Sequence, residues 1–563
     1  MRKKYFLPVG ILTAILLVTG CTKLNEVVLD ESPSMGLNDQ QVAEGTIAPV
    51  YAVLPNIFLH TNYFALQEIS TDEAILPYRG GTDWGDNGIY LTMHQHNFAT
   101  TDPNIKNTWN LLAQGISRAV TAINALKNSA YPSAPLFLAE ARGMRAYYSM
   151  LTLDLFGLVF VKDDASQQAV IIRGAEAVEY IKSELLAVEP VLSSDIQQGR
   201  LSKQACWGLL ARLHLNSSVY KNIYTPQFTF DNADMDKVIE YTDKIINSGK
   251  YQLSAEYFDV FDDDNNTNKE IIFAVDQRAD LNGHNRMAYF SLSGDQFPLP
   301  EFPAANGTDG PAITSDFYHT WTQAYGAQDP KIDPRFYKEN LTIYSNNIDT
   351  CVAAADFNIN RGILRGQQFG LIRKSGAFVK CDDGKMKVGP LFHDSRNKPT
   401  LPVIFTEQVD FTTAGSNYPS GYRVEKYEFS RKSASGRNFG EADIVILRLA
   451  DIYLMRAEAK LRKSNDAPAA LADVNTVRAS RTARTPAPPA LTEMNLELLY
   501  RERGFELYWE MVRRTDMIRF NKYEGTWTEK SNNNPQRRIF PIPVTAIDAA
   551  SNIPGYMVQN SGY

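Results

Sequence analysis

The chain has 563 residues, 44% apolar and 21% charged, with a formal charge of −7 at neutral pH. That exceeds the ~250–300 residues at which one hydrophobic core stops growing, so two lobes, or a helical array carrying a second lobe, are expected. The acidic balance and lack of a basic stripe exclude a nucleic-acid binder, which needs clustered Lys and Arg, while 28 Tyr, 28 Phe and 6 Trp supply rings for both a core and a binding surface.

Met1 to Gly20 reads as a secretory signal. Arg2, Lys3 and Lys4 precede an apolar run, Phe6 to Val18, that is shorter than the ~20 residues of a spanning helix. Thr19-Gly20-Cys21 then looks like a bacterial lipobox, in which Cys21 is acylated and becomes the first residue of the mature protein. The bland alternative is an incidental cysteine beside an ordinary cleavage site. Several acyl chains, at ~0.8 kcal/mol per buried CH₂, make a lasting anchor. Residues 21–38 follow as a polar, lipid-anchored tether, and no later apolar run reaches spanning length.

From 39 to 250 the chain predicts a helical scaffold, interrupted by a loop over 67–104. Val42 to Phe58 is a first helical run. Trp109, Leu112, Ile116, Ala119 and Ile123 recur every three or four residues, which places them on one helix face. Phe137, Ala141, Met144, Tyr148, Leu151 and Leu155 do the same up to Gly157, a C-cap candidate. Ala175 to Leu186 reads as the antiparallel mate of that run, and Lys203 to Ser217 as the mate of Met235 to Ile246. Cys206 falls in an apolar helical run, as a buried free thiol would; a bridge between Cys351 and Cys381 is open to an exported chain.

Residues 251–440 change character. Glu270 to Val275 is a strand candidate, and turn-rich stretches such as Asn306 to Pro311 and Ser416 to Gly421 predict an irregular lobe with short strands. Asp262 to Asn268 is acidic enough to suggest calcium, yet Thr267 and Phe273 stand where an EF-hand loop needs Gly and Glu, so a solvated loop is the plainer reading. His94 and His96 could share a face, but no third zinc ligand is apparent.

Residues 441–563 return to helices. Ile446, Ala450, Tyr453, Ala457 and Leu461 form one stripe, Ala469, Leu471, Val474 and Val477 a second, and Leu498, Phe505, Trp509 and Val512 a third. The fold class that emerges is mainly α: about four hairpins of tetratricopeptide-like size, with an irregular, loop-rich lobe inserted before the last.

Three stretches carry a family likeness. Arg145-Ala146-Tyr147-Tyr148 with Leu155-Phe156-Gly157, the run Leu447 to Ala459, and Glu502 to Leu507 with Arg513 to Phe520 together resemble the SusD/RagB family of nutrient-binding outer-membrane lipoproteins. Phe540-Pro541-Ile542-Pro543 and Gln559 to Tyr563 are similar to that family's terminus, although Met511 and Ser561 stand where Gly and Pro are common there. The resemblance implies a tetratricopeptide-like scaffold, a glycan held at a shallow surface site, and a SusC-like TonB-dependent transporter in the outer membrane as partner, with no cofactor.

The best local ligand candidate is the segment from Thr71 to Tyr90. Its Gly and Asp content predicts a loop that cannot bury all of Tyr78, Trp84 and Tyr90; exposed rings suit a sugar face, and Arg79, Asp83, Asp86 and Asn87 suit its hydroxyls. The plainer reading has Trp84 plugging the scaffold. Trp321 and Tyr325 rank second, though their near-helical spacing with Phe317 and Tyr318 favours core packing. Rival functions are a peptide-binding uptake lipoprotein and a surface glycoside hydrolase; the latter needs two carboxylates about 5–9.5 Å apart, and no hydrolase motif is present.

Overall fold

The computed structural model describes residues 39–79, 88–164, 166–278, 285–296, 307–339, 350–412, 418–430, 440–484 and 487–563. The signal segment, Cys21 and the tether lie outside the described residues.

The apolar stripes become helices: α1 (Asp39–Tyr51), α2 (Pro103–Leu126), α3 (Ala134–Phe156), α4 (Gly174–Val188), α5 (Lys203–Lys221) and α6 (Asn232–Asn247). Side-chain caps fix several starts, with Asp102 accepting from the amides of Asn104 and Ile105, Ser202 from Ala205, and Asp231 from Ala233. Helix α3 stops at Gly157, whose φ of +67° suits a residue without Cβ. Each helix from α2 to α6 packs against the next, α2 on α3 through α5 on α6. The buried face of α2 includes the expected Trp109, Leu112, Ile116 and Ile123, and Cys206 is a buried free thiol.

The chain then crosses the irregular lobe, which contains α7 (Ser315–Tyr325), and returns as α8 (Leu449–Ser464) and α9 (Ala467–Ser480). Helix α8 packs on α6 as closely as on α9, so the array continues as though the lobe had not intervened. Helices α10 (Leu496–Leu507) and α11 (Arg513–Arg519) close the scaffold. The fold is therefore mainly α, of the tetratricopeptide-like kind, with short strands in scattered two- and three-stranded sheets. No helix among the described residues is long and apolar enough to cross a membrane.

Two details differ from the stripe reading. Ile446 lies in a strand, β6 (Ile444–Arg448), paired antiparallel with β2 (Ile271–Val275); both strands are buried throughout, so their continuous apolar runs carry no alternation. Trp509 does not continue α10, which ends at Leu507; Trp509 and Met511 both adopt φ of +59° in the turn before α11. The remaining strands used below are β1 (Ala74–Ile75), β3 (Ala312–Ile313), β4 (Arg361–Leu364) and β5 (Arg423–Glu425). A disulfide joins Cys351 to Cys381 within the lobe.

Lobe and scaffold meet at a buried ionic network. Arg448 contacts Glu270, Glu506 and Glu510; Arg481 contacts Glu270 and Glu506; Arg335 contacts Asp333, Glu502 and Glu506. Arg478 pairs with Glu502 and Lys426 with Glu510. Five cations thus face five carboxylates, all nearly inaccessible, with Arg501 adding only a 3.7 Å approach to Glu502 from the solvent edge. Burial alone would raise the pKa of Glu506, but Arg481, Arg448 and Arg335 hold its carboxyl well below the usual range.

Candidate functional site

The segment singled out in the sequence is anchored where scaffold and lobe touch. Strand β1 pairs antiparallel with β3, Ala74 opposite Ile313 and Ile75 opposite Ala312. Arg79, just beyond β1, donates from Nε and Nη2 to the Gly310 carbonyl at 3.1 and 3.0 Å, and from Nη1 to the Ser420 carbonyl at 2.6 Å. Such close approach is possible because residue 421 is glycine, at φ +84°; a Cβ there would lie 2.3 Å from that of Ala312. Gly88, at φ +81°, opens the short helix Ile89–His94, and a Cβ on it would sit 3.6 Å from the Tyr78 hydroxyl, so the two ends of the loop are held together.

Four of the expected ligand residues, Asp83, Trp84, Asp86 and Asn87, lie outside the described residues. Of the others, half-buried Tyr78 stands at the rim. Four of the expectations need correction. Arg79 and Tyr90 are 0% and 1% exposed and cannot meet a ligand as surface groups, because Arg79 is consumed in bracing Gly310 and Ser420, and Tyr90 joins the core of the scaffold. Trp321 is fully buried, its ring stacked 3.7 Å from that of Phe505, as the core reading of its spacing had it. Tyr325 packs parallel to Trp321 and donates its hydroxyl to Asp333, which keeps it in the framework.

Sequence reasoning missed a neighbouring cleft of about 490 Å³, lined by Asp72, Asp316 and Thr320 on one side and Tyr500, Arg501 and Trp527 on the other. Arg513 fixes Asp72 with two bonds, 2.7 and 2.8 Å, and the Tyr500 hydroxyl lies 3.4 Å from the same carboxylate. Asp316 accepts from the amide and hydroxyl of Thr528. His94 and His96 press their ring nitrogens against carbonyls, His94 against Ile69, Ala74 and Thr528, His96 against Ser70. In sequence, Tyr500 and Trp527 carry no mark of this, since the cleft is built from segments more than 400 residues apart, as Asp72 and Tyr500 show.

Beneath the cleft two acids are buried side by side. Glu68, in a wide turn of helix at Ala65–Ile69, accepts from the Met511 amide at 2.5 Å, and Glu73 accepts from the Trp509 amide at 3.3 Å. These bonds hold the turn whose two non-glycine residues are left-handed. Burial, reinforced by the neighbouring Glu73, pushes the Glu68 carboxyl well above its usual range. Burial also raises Glu73, to about 7, despite the opposing charge of Arg513.

The comparisons with known proteins bear on what these parts belong to. The starch-binding protein SusD of Bacteroides thetaiotaomicron is 28% identical over 449 residues, 76% of this chain and 72% of the relative. The SusD-like protein P25 of Formosa agariphila is 24% identical over 404 residues, 69% of this chain and 63% of the relative. Among solved structures, the surface glycan-binding protein A of Bacteroides thetaiotaomicron in complex with laminarihexaose superposes with a TM-score of 0.63 at 17% identity, covering 93% of this chain and 99% of that one. A laminarin-binding SusD-like protein gives 0.62 at 17% identity, with 93% and 99% coverage. The family model described as the SusD family matches residues 213–563, more than half of the chain, and the protein belongs to that family.

Proposed function

We propose that the protein is a non-catalytic, lipid-anchored glycan-binding protein of the outer membrane, acylated at Cys21, that captures an oligosaccharide or polysaccharide outside the cell and passes it to a SusC-like TonB-dependent transporter. The observation that carries this reading is the 28% identity to a starch-binding protein along three quarters of the chain. The segment that follows Arg79 supports it, because a Gly- and Asp-rich sequence containing Trp84 starts from Arg79, which is bonded to Gly310 and Ser420, and binding residues are commonly carried on loops mounted on a rigid frame. Capture needs only ring stacking and hydrogen bonds to hydroxyls, and no step in it breaks a bond.

The test is affinity electrophoresis of the body lacking residues 1–21 through gels containing a panel of polysaccharides, with product analysis of the same polymers. Retention without shortening is expected. Trp84→Ala should weaken retention of the cognate glycan at least tenfold, about 1.4 kcal/mol, with unchanged helical circular dichroism. Steady shortening of an oligosaccharide by the pure body would end the non-catalytic reading. Cys21→Ser should release the protein from membranes, and mass spectrometry should find acyl chains on the wild-type residue.

A further inference from the structure

The irregular lobe carries a cleft of its own, of about 600 Å³, with walls from two hairpins. One hairpin pairs Arg373–Lys374 with Ala377–Phe378 through a tight turn at Ser375 and Gly376, both left-handed. The other pairs Phe392–His393 with Lys398–Pro402. Asp295, almost inaccessible, locks the walls together: it accepts from Nη2 of Arg373 at 3.1 Å, and from the amide and hydroxyl of Ser395 at 3.0 and 2.6 Å. The floor is apolar. Ile372 and Leu391 lie over Gly389 and Gly370, where an added Cβ would meet their Cδ1 atoms at 2.5 and 3.0 Å, so the two glycines let these side chains lie flat on the sheet.

Phe392 lines this cleft and is 41% exposed; of the Phe, Tyr and Trp rings among the described residues it is the only exposed one. The register of its hairpin slips between Phe392 and His393, an irregularity of the kind that re-aims side chains, and it leaves His393 completely buried with Phe392 turned outward. Lys374, Ser375 and Asp394 line the same cleft, and their side chains make no hydrogen bond or ion pair among the described residues. A flat ring beside an unengaged ammonium, hydroxyl and carboxylate suits a sugar, whose C–H face lies on the ring while its hydroxyls reach the polar groups. A volume of this size is that of an ordinary small-ligand site. The turn Asp394–Arg396 also connects the cleft to the segment that follows β1. Ser395 bonds Asp295 in the cleft wall, and Arg396 bonds Asp309, the sequence neighbour of the Gly310 on which Arg79 rests.

We propose that this cleft is a second glycan site, in which one pyranose of the captured chain stacks on Phe392 and bonds Lys374, Ser375 and Asp394 through its hydroxyls. This assignment rests on the glycan-capture reading and extends it from a single loop to a path along the lobe. Two modest sites on one polymer hold it more tightly than either alone, because occupation of the first raises the local concentration of sugar at the second.

The experiment runs the soluble body lacking residues 1–21 through affinity gels containing amylopectin, laminarin or xyloglucan, beside Phe392→Ala, Phe392→Trp and the double variant Trp84→Ala/Phe392→Ala. Phe392→Ala should lower retention of the polymer that the wild type binds by at least about threefold, with an unchanged thermal melt, since the ring is exposed. Phe392→Trp should keep retention within about twofold, because it preserves the stacking platform. The double variant should lose more than either single one. Equal retention of the wild type and Phe392→Ala would overturn the second site and leave glycan capture standing, as would an equal loss in Phe392→Trp. Retention of no polymer by the wild type would remove the capture reading and the second site with it.

Discussion

Two buried clusters of charge in this molecule were assembled on opposite plans. Where lobe meets scaffold, five cations face five carboxylates, and every guanidinium in the network has an acid within contact distance. Beside the loop that follows β1, Arg79 and Arg423 instead point at carbonyl oxygens, those of Gly310, Ser420 and Tyr418. A balanced buried network contributes little net stability compared with apolar packing, but it penalises any other register of the parts it joins. The contrast is between arginines held by acids and arginines held by backbone oxygens, residues that composition treats alike.

The comparison is broken most severely by Arg448→Met, which takes one cation from Glu270, Glu506 and Glu510 and leaves five buried carboxylates facing four cations. A loss of about 3–5 kcal/mol is expected, read by urea unfolding. The same substitution at Arg423 should cost no more than about 1–2 kcal/mol, because a lost pair of carbonyl bonds is offset by removal of a poorly compensated buried charge. If the two variants cost the same, the distinction drawn between the clusters is wrong.

The disulfide offers a cut confined to the lobe. Replacing Cys351 and Cys381 by Ser opens a link across 30 residues, and about 3 kcal/mol of lobe stability should go with it. Limited proteolysis should then nick the lobe while the helical signal of the scaffold persists.

The acids themselves sharpen the contrast through pH. Burial would raise Glu458, but Arg519 and Arg462 outweigh it and hold the carboxyl at about 2, so its stabilising contribution is present above the unfolded value near 4.5 and is lost as pH falls toward 2. Glu73 is raised to about 7, so the opposite sign applies: its contribution is complete below about 4.5 and is lost as pH climbs through 7. A decline on the order of 2–3 kcal/mol between pH 5 and 8 is expected from this acid. Glu73→Gln, which keeps the shape of the protonated form, should flatten that slope and leave the acid limb untouched; melts recorded across the range decide it.

The scaffold was legible because helix periodicity is local. Trp109 to Ile123 and Phe137 to Leu155 repeat every three or four residues, and each repeat is a buried helix face. Strand β6 was not legible, since a run such as Ile444-Val445-Ile446-Leu447 that is buried on both sides has no period to distinguish it from a core helix. Trp509 fitted the third stripe by spacing, yet the chain turns left-handed there, held by acids more than 430 residues away. Met511, which stands where the resemblance leads one to expect glycine, is one of these left-handed residues, and its amide is held by Glu68. Arg79 shows the same limit at the site. Its place in a polar loop pointed to solvent, but its partners stand 231 and 341 residues further on, and only the folded chain reveals that it is braced inside.

That bracing has a consequence for how such a protein could change its diet. Arg79 ties its own segment to those of Gly310 and Ser420 from within, so the sequence beyond it can vary without loosening that mount. Under the proposed glycan capture, a lineage meeting a new polysaccharide could rewrite residues 80–87 while the mount stayed the same, and grafting only those residues from a relative with different cargo is the shortest engineering route to a protein with a different ligand.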